Sequence, residues 1–331
     1  MKLPDPINSV AALIDAETEK HREEPRPHLG ASLLGHPCDR YLWLSFRWAV
    51  IEPFPGRILR LFRRGQLEEA NIIALLRSIG VDVQERAEQV RVDFGGHVSG
   101  SLDGIIEGGV PEAPKKRHVL ECKTHSLKSF NDLQEKGVKE SKPQHWGQMQ
   151  VYMSGSRIDR ALYFAICKDD DRIYTERVRY DQEAANKLID RGHRITASER
   201  LPEPLSCNSS WYQCKYCPCH DFCFNSHMTK ELNCRTCALS TPTKNSQWLC
   251  ARYDNAEIPI DAQREGCSCH VLHPDLVPWK LLCSEDEFTA VYEIDGQKVR
   301  NGEATEFVIG SRELIDATWR TEDVSFPFGG R

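Results

Sequence analysis

Hydrophobic and polar positions along the chain change period several times, and each change predicts an element. Residues 6–22 repeat at helical spacing and predict an amphipathic helix, after which "REEPRPHLGAS" reads as a linker. "CDRYLWLSFRW" predicts a short buried helix rich in aromatics. From 57 to 79 the apolar residues Ile58, Leu61, Phe62, Ile72, Leu75 and Leu76 again keep helical spacing, and Gly80 marks the stop. Three strands are expected near 81–94, 97–107 and 117–124, separated by turns carrying Gly and Pro. A helix near 143–155, a strand "RALYFAICK", an alternating "RIYTERVRY" and a helix over 181–198 follow. The order from residue 57 is α-β-β-β-α-β, which places the chain in the α/β (α+β) class.

From residue 206 the regular pattern gives way to irregular, Cys-rich chain. After 280, short alternating segments with "EIDGQ" and "VRNGE" turns predict a small β unit. The expected division is 1–205, 206–226, 227–280 and 281–331.

Composition changes the picture at one point. The chain has 331 residues with 40% hydrophobic and 28% charged, an ordinary globular balance, but it carries 14 cysteines. Ten of them fall between Cys207 and Cys269. No apolar run resembles a signal peptide or a membrane span, so a cytoplasmic protein without a disulfide framework is expected, and metal binding explains the thiols. The net charge of −6 gives no global sign of a nucleic-acid partner. A local basic face remains open, and Arg57, Arg60 and Arg64 fall near one side of a helix.

The stretch "VLECKTH" sets Glu121 and Lys123 side by side on one face of a strand that is otherwise built for a core. An exposed i, i+2 ion pair is one reading, and it would contribute little. Its neighbours favour another. Asp103 stands in "GSLDGII" and Gln148 and Tyr152 stand at i, i+4 in "QMQVY". Two carboxylates from adjacent strands suit a hard divalent cation such as Mg²⁺ or Mn²⁺. A lysine on the same face can orient the attacking water or offset charge growing on a phosphate.

These residues resemble the PD-(D/E)XK nuclease superfamily, in the branch of lambda-type exonucleases and RecB-like nucleases found in phages and prokaryotes. Gly65 and Glu69 in "RRGQLEEA" extend the likeness and side with the lambda-type enzymes, Glu69 being preferred to Glu68 by spacing alone. Leu102 stands where the family motif has proline. The resemblance covers about half the chain. It implies a restriction-endonuclease-like core with a central mixed sheet flanked by helices, and a metal-dependent DNase, an exonuclease in recombination, repair or phage DNA metabolism. Asp103, Glu121 and Glu69 would hold the ions, Lys123 would aim the water, and Gln148 and Tyr152 would hold Lys123 or the DNA backbone. DNA is the implied partner, with a recombination, annealing or helicase protein beside it. A DNA-binding adaptor on a nuclease scaffold, or a structure- or sequence-specific endonuclease, is the alternative.

"WYQCKYCPCHDFC" holds Cys214, Cys217 and Cys223, and Cys38 precedes the core. The set resembles the iron–sulfur staple of AddB-type and CRISPR-associated nucleases, which implies a [4Fe-4S] cluster. Zinc on the same thiolates, or with His220, is the rival, and Cys207 and Cys219 are spare. Cys234, Cys237, Cys250 and Cys267 form a C-x2-C…C…C zinc pattern, with Cys269 or His270 as alternates for the last ligand. Cys122 is read as core. His97, His145 and Trp146 are read as structural.

Overall fold

A computed structural model describes residues 9–84, 90–284 and 286–317. The first part of the expected 6–22 helix (6–8), the middle of the expected 81–94 strand (85–89) and the end of the C-terminal unit (318–331) lie outside these residues.

Helix α1 (Val10–Lys20) starts where the Ser9 hydroxyl accepts from the Ala12 amide at 3.1 Å, and none of its residues is buried. Strand β1 (Leu29–Gly30) lies in the predicted linker. It is followed by α2 (Asp39–Phe46), which buries Leu42, Trp43, Leu44 and Phe46, and by the long α3 (Gly56–Ser78). Strands β2 (Val83–Gln84), β3 (Arg91–Asp93), β4 (Val98–Ser101), β5 (Gly104–Ile106) and β6 (His118–His125) come next. Helices α4 (Leu127–Ser141) and α5 (Pro143–Ser156), strands β7 (Arg160–Cys167) and β8 (Ile173–Arg179) and helix α6 (Gln182–Ala197) complete the first two thirds.

The central sheet has the order β2-β5-β6-β7-β8 and is mixed: β6 and β7 run parallel, and the other neighbours are antiparallel. As expected, the fold is a mixed α/β sheet flanked by helices. Alternation along β6 decides what each face meets. Leu120 and Cys122 join Leu162, Phe164 and the Ile72, Ile73 and Leu76 stripe of α3 in one apolar cluster. Val119 points the other way, into the main core with Ala161, Ala165, Phe130, Leu133 and Met149. Cys122 is thus a core residue, as read.

The structure departs from the expected pattern at further points: β2 and β3, both within the expected strand 81–94, belong to different sheets. Helix α4 falls where no helix was expected. Its apolar residues Phe130, Leu133 and Val138 are interrupted by Gly137 at φ +75°, so no continuous helical period is visible. Glu176 of β8 repairs the break by accepting the Val138 amide at 2.8 Å. The expected strand 97–107 is two strands: β4 pairs with β1 and β3 in a separate sheet, β5 pairs with β6, and Asp103 sits at the jog between them.

The last third is built from α7 (Tyr212–Lys215), a small sheet of β9 (Ser240–Pro242), β10 (Trp248–Cys250) and β11 (Ala256–Glu257), and α8 (Ile260–Glu265). The expected C-terminal β unit is the antiparallel sheet β12 (Lys280–Cys283), β13 (Ala290–Ile294) and β14 (Gln297–Asn301), followed by α9 (Ser311–Ile315). Trp248, Ile258 and Leu276 pack into the main core, whereas Cys237, Val271 and Leu272 pack with the C-terminal sheet. Segment 227–280 therefore shares its core with both neighbours. Among the described residues no helix is long and apolar enough to cross a membrane.

Candidate active site

Strand geometry places Glu121, Lys123 and His125 on the face of β6 that looks toward α5. Glu121 is fully buried, which removes the reading of an ion pair on a half-exposed strand. The Lys123 ammonium donates to Glu121 Oε1 and to the Cys122 carbonyl. Glu121 Oε2 is buried and has no hydrogen-bond partner among the described residues.

Asp103 reaches the same place from the jog. Its Oδ2 accepts the Cys122 amide at 2.8 Å, which ties the break between β4 and β5 to the central strand. Burial pushes the Asp103 carboxyl above its ordinary range, against the pull of Lys123 and of that amide. Glu121 is raised by burial, with Asp103 and Glu69 repelling it and Lys123 opposing the shift. Glu69 rises to about 7, through burial and then the Asp103 charge. Glu68 instead accepts from the Asn71 amide group at 2.6 Å on the helix surface.

From α5, Gln148 and Tyr152 face this cluster. Both are buried, the two side chains hydrogen-bond each other, and the phenol feels Glu121, Asp103 and Lys123. Gly100 makes room for the ring: a Cβ there would stand 2.7 Å from Tyr152 Cε1 and 2.8 Å from the Ala31 Cβ. The structure thus gathers all six residues, Glu69, Asp103, Glu121, Lys123, Gln148 and Tyr152, around one buried charge cluster. Three carboxyls, all raised by burial, stand around one ammonium, and one buried Glu121 oxygen has no partner among the described residues. That donor set fits a hard cation.

His97 lies elsewhere, edge-on to Phe46 at 5.2 Å between ring centroids, and is structural as read. His145 is more than packing: its Nδ1 meets the Tyr163 hydroxyl at 2.9 Å, beside Lys123. Arg60 is taken by Asp15, while Arg57 and Arg64 remain exposed.

The cysteines collect in two places. Cys38, Cys214, Cys217 and Cys223 line one cavity, together with Cys219 and His220. Cys38 caps α2, and its sulfur accepts the Tyr41 amide at 3.4 Å. Cys217 is lowered to about 7 by a hydrogen bond from Cys219. Cys207 is exposed and does not line the cavity, so the fifth thiol is Cys219.

Cys234, Cys237, Cys250 and Cys267 line the second cavity with Cys269 and His270. Cys237 Sγ accepts amides from Leu239 at 3.5 Å and Val271 at 3.4 Å. Burial and the neighbouring thiols raise Cys234 to about 12. Both His270 nitrogens are already engaged, Nδ1 by Ser311 at 3.0 Å and Nε2 by Thr236 at 3.1 Å. That leaves Cys269 as the alternate ligand. Among the described residues no group of three or more His, Cys, Asp or Glu is arranged to hold a metal ion as it stands. The thiol sets fit a soft or borderline metal by donor chemistry alone.

No family model and no curated protein matches the chain. Among solved structures, SSO0001 overlaps at a TM-score of 0.41 and 14% identity, covering 64% of this chain and 95% of its own. An alkaline exonuclease (LHK-Exo) from Laribacter hongkongensis overlaps at 0.37 and 15%, covering 55% and 91%. A phage-related exonuclease from Haemophilus somnus 129PT overlaps at 0.29 and 18%, covering 40% and 67%. None of these overlaps is close enough to carry an argument about this chain's chemistry, which rests on its own residues.

Proposed function

We propose that the chain is a divalent-metal-dependent DNA nuclease of PD-(D/E)XK type, an exonuclease hydrolysing phosphodiester bonds. One observation carries the reading. A cluster of half-buried Asp103, Lys123 and Glu69 around the fully buried Glu121 is costly to fold unless a cation and a substrate use it.

Asp103, Glu121 and Glu69 would hold Mg²⁺ or Mn²⁺, which when bound polarises the scissile phosphate and makes water a better nucleophile. Lys123, held by Glu121 Oε1 and the Cys122 carbonyl, offers its ammonium to the attacking water and to charge growing on phosphorus. Gln148 and Tyr152 would hold Lys123 or the DNA backbone in register.

The cysteine cavities are read as structural metal sites. The first would hold a [4Fe-4S] cluster, or zinc, on Cys38, Cys214, Cys217 and Cys223, with Cys219 able to replace one of them. The second would hold zinc on Cys234, Cys237, Cys250 and Cys267 or Cys269. A recombination, annealing or helicase protein is the partner this activity calls for.

End-labelled linear and circular DNA, incubated with the protein and Mn²⁺ or EDTA, tests the reading. Loss of linear DNA alone gives an exonuclease, and cut circles give an endonuclease. Intact DNA under every divalent ion leaves a binding adaptor and refutes the proposal.

A further inference from the structure

Beyond Lys123, the polar row on β6 continues into groups that the reaction described above does not use. His125 Nε2 lies 2.8 Å from the Tyr163 hydroxyl, and His145 Nδ1 lies 2.9 Å from the same oxygen. At the far end the Ser129 hydroxyl meets His125 Nδ1 at 3.1 Å. The four groups come from four elements: His145 from α5, Tyr163 from β7, His125 from β6 and Ser129 from the first turn of α4. The register brings them together, because Glu121 pairs with Tyr163 across the parallel strands.

One hydroxyl proton serves two imidazoles, so the polarity of the row is fixed as a unit. If Tyr163 donates to one ring nitrogen, it must accept an N–H from the other. Each member then both donates and accepts. Burial is the leading cause that lowers both histidines, to about 4 for His125 and about 3 for His145, so both rings are neutral near pH 7. The charges facing them are Lys123, Lys142 and Lys168, and Tyr163 also faces Glu121, Tyr174 and Glu176. His145 lies near Lys123, and both ends of the row, His145 and Ser129, are half-exposed.

Phosphodiester hydrolysis has to discharge a proton. The water oxygen bonds to phosphorus as the bond from phosphorus to the leaving oxygen breaks. One water proton ends on that leaving oxygen. The diester carries one negative charge and the monoester product up to two, since its second pKa is about 6, so the other proton is released. We propose that His145, Tyr163, His125 and Ser129 form a path by which this proton leaves the site for the far side of the sheet edge. A proton taken up by His145 at Nε2 releases the Nδ1 proton to Tyr163. The tyrosine proton passes to His125 Nε2, and the His125 Nδ1 proton leaves at Ser129 to solvent. No oxidant or other co-reactant is needed.

The inference rests on the nuclease reading, and the test separates the two. Single-turnover cleavage of end-labelled DNA is measured with saturating Mg²⁺, in dilute buffer and with increasing imidazole. Tyr163→Phe keeps the ring and cuts the path, while His125→Gln keeps hydrogen bonds but cannot pass a proton. Each is expected to be slower by about tenfold or more in dilute buffer, with DNA affinity unchanged and the rate restored by imidazole. A structural defect would not respond to a small proton carrier. If Tyr163→Phe fails to fold, His125→Gln carries the test. Full activity of the folded variants in dilute buffer, or a loss that imidazole does not restore, overturns the path alone. A wild type that cuts no DNA overturns the nuclease reading, and the path falls with it.

Discussion

Glu69→Gln isolates one carboxylate of the site without leaving a hole, and its effect on stability has a definite sign. The Glu69 carboxyl is raised from 4.5 to about 7, through burial and then repulsion from Asp103. Between those values the unfolded chain has lost its proton while the folded chain keeps it. The folded state therefore loses stability as pH rises through this window, fully above about 7 and not at all below about 4.5. A shift of that size corresponds to roughly 3 kcal/mol at about 1.4 kcal/mol per unit. The side chain is only partly buried, so solvent screening reduces the expected penalty to about 1–2 kcal/mol. In EDTA at pH 8, Glu69→Gln should be more stable than wild type by that amount in urea unfolding, and equal to it near pH 4. Adding Mn²⁺ at pH 8 should stabilise wild type more than the variant, because only wild type offers the third carboxylate. Equal urea midpoints in EDTA at pH 8 would refute the charge-crowding argument. Equal stabilisation by Mn²⁺ would remove Glu69 from the ligand set.

Three further outcomes follow from the same geometry. Asp103→Asn and Lys123→Ala should each abolish cleavage in the DNA assay while circular dichroism remains native, and near wild-type activity in either would remove that residue from the site. Gly100→Ala would drive a methyl against Tyr152 and Ala31, so it should cost about 1–3 kcal/mol in thermal unfolding and lower activity together. Unchanged stability would mean that the β4–α5 contact can relax. Cys38→Ala removes the one thiol of the first cavity that precedes the catalytic strands, and should bleach anaerobically prepared brown protein and make it more protease-sensitive. A colourless wild type containing zinc would move that site to zinc, and a fully coloured variant would bring Cys219 into the ligand set.

How much of this could be read from the chain depended on the range of the signal. Period-2 alternation in "VLECKTH" and the i, i+4 spacing of Gln148 and Tyr152 are local, so both faces were legible, whereas the expected strands 81–94 and 97–107 each divide between two sheets, which no local pattern marks. Helix α4 was not legible, because Gly137 breaks its period and the repair comes from Glu176 on another strand. Tyr163 was hidden inside the apolar run of β7, and its partners His125 and His145 come from other elements. Nothing in sequence ties a tyrosine to two distant histidines. Cys219 was ambiguous for a related reason: in "CPCH" the turn of the chain, rather than the spacing, decides which sulfur enters the cavity.

The joint between the central sheet and the Cys-rich part lies at α2. Cys38 caps this helix, Trp43 Nε1 donates to the Ser198 carbonyl at 2.9 Å, and Arg40 donates to the Pro202 carbonyl at 2.7 Å. Just beyond it, Arg47 donates to the Arg235 carbonyl, while Arg235 donates to the carbonyls of Phe46 and Pro27 and to Gln263. Both guanidiniums are 1% exposed, and among the described residues no carboxylate pairs with either. Carbonyl oxygens and the rings of Trp43, Trp48 and Trp248 take the place of a counter-ion, with Arg235 only 3.7 Å from the Trp48 ring centre. Separating the Cys-rich part from α2 would strip these carbonyls and rings from two buried cations, which costs far more than parting two apolar surfaces. The thiol cavity around Cys38 and the core beneath the central sheet therefore share one helix, α2.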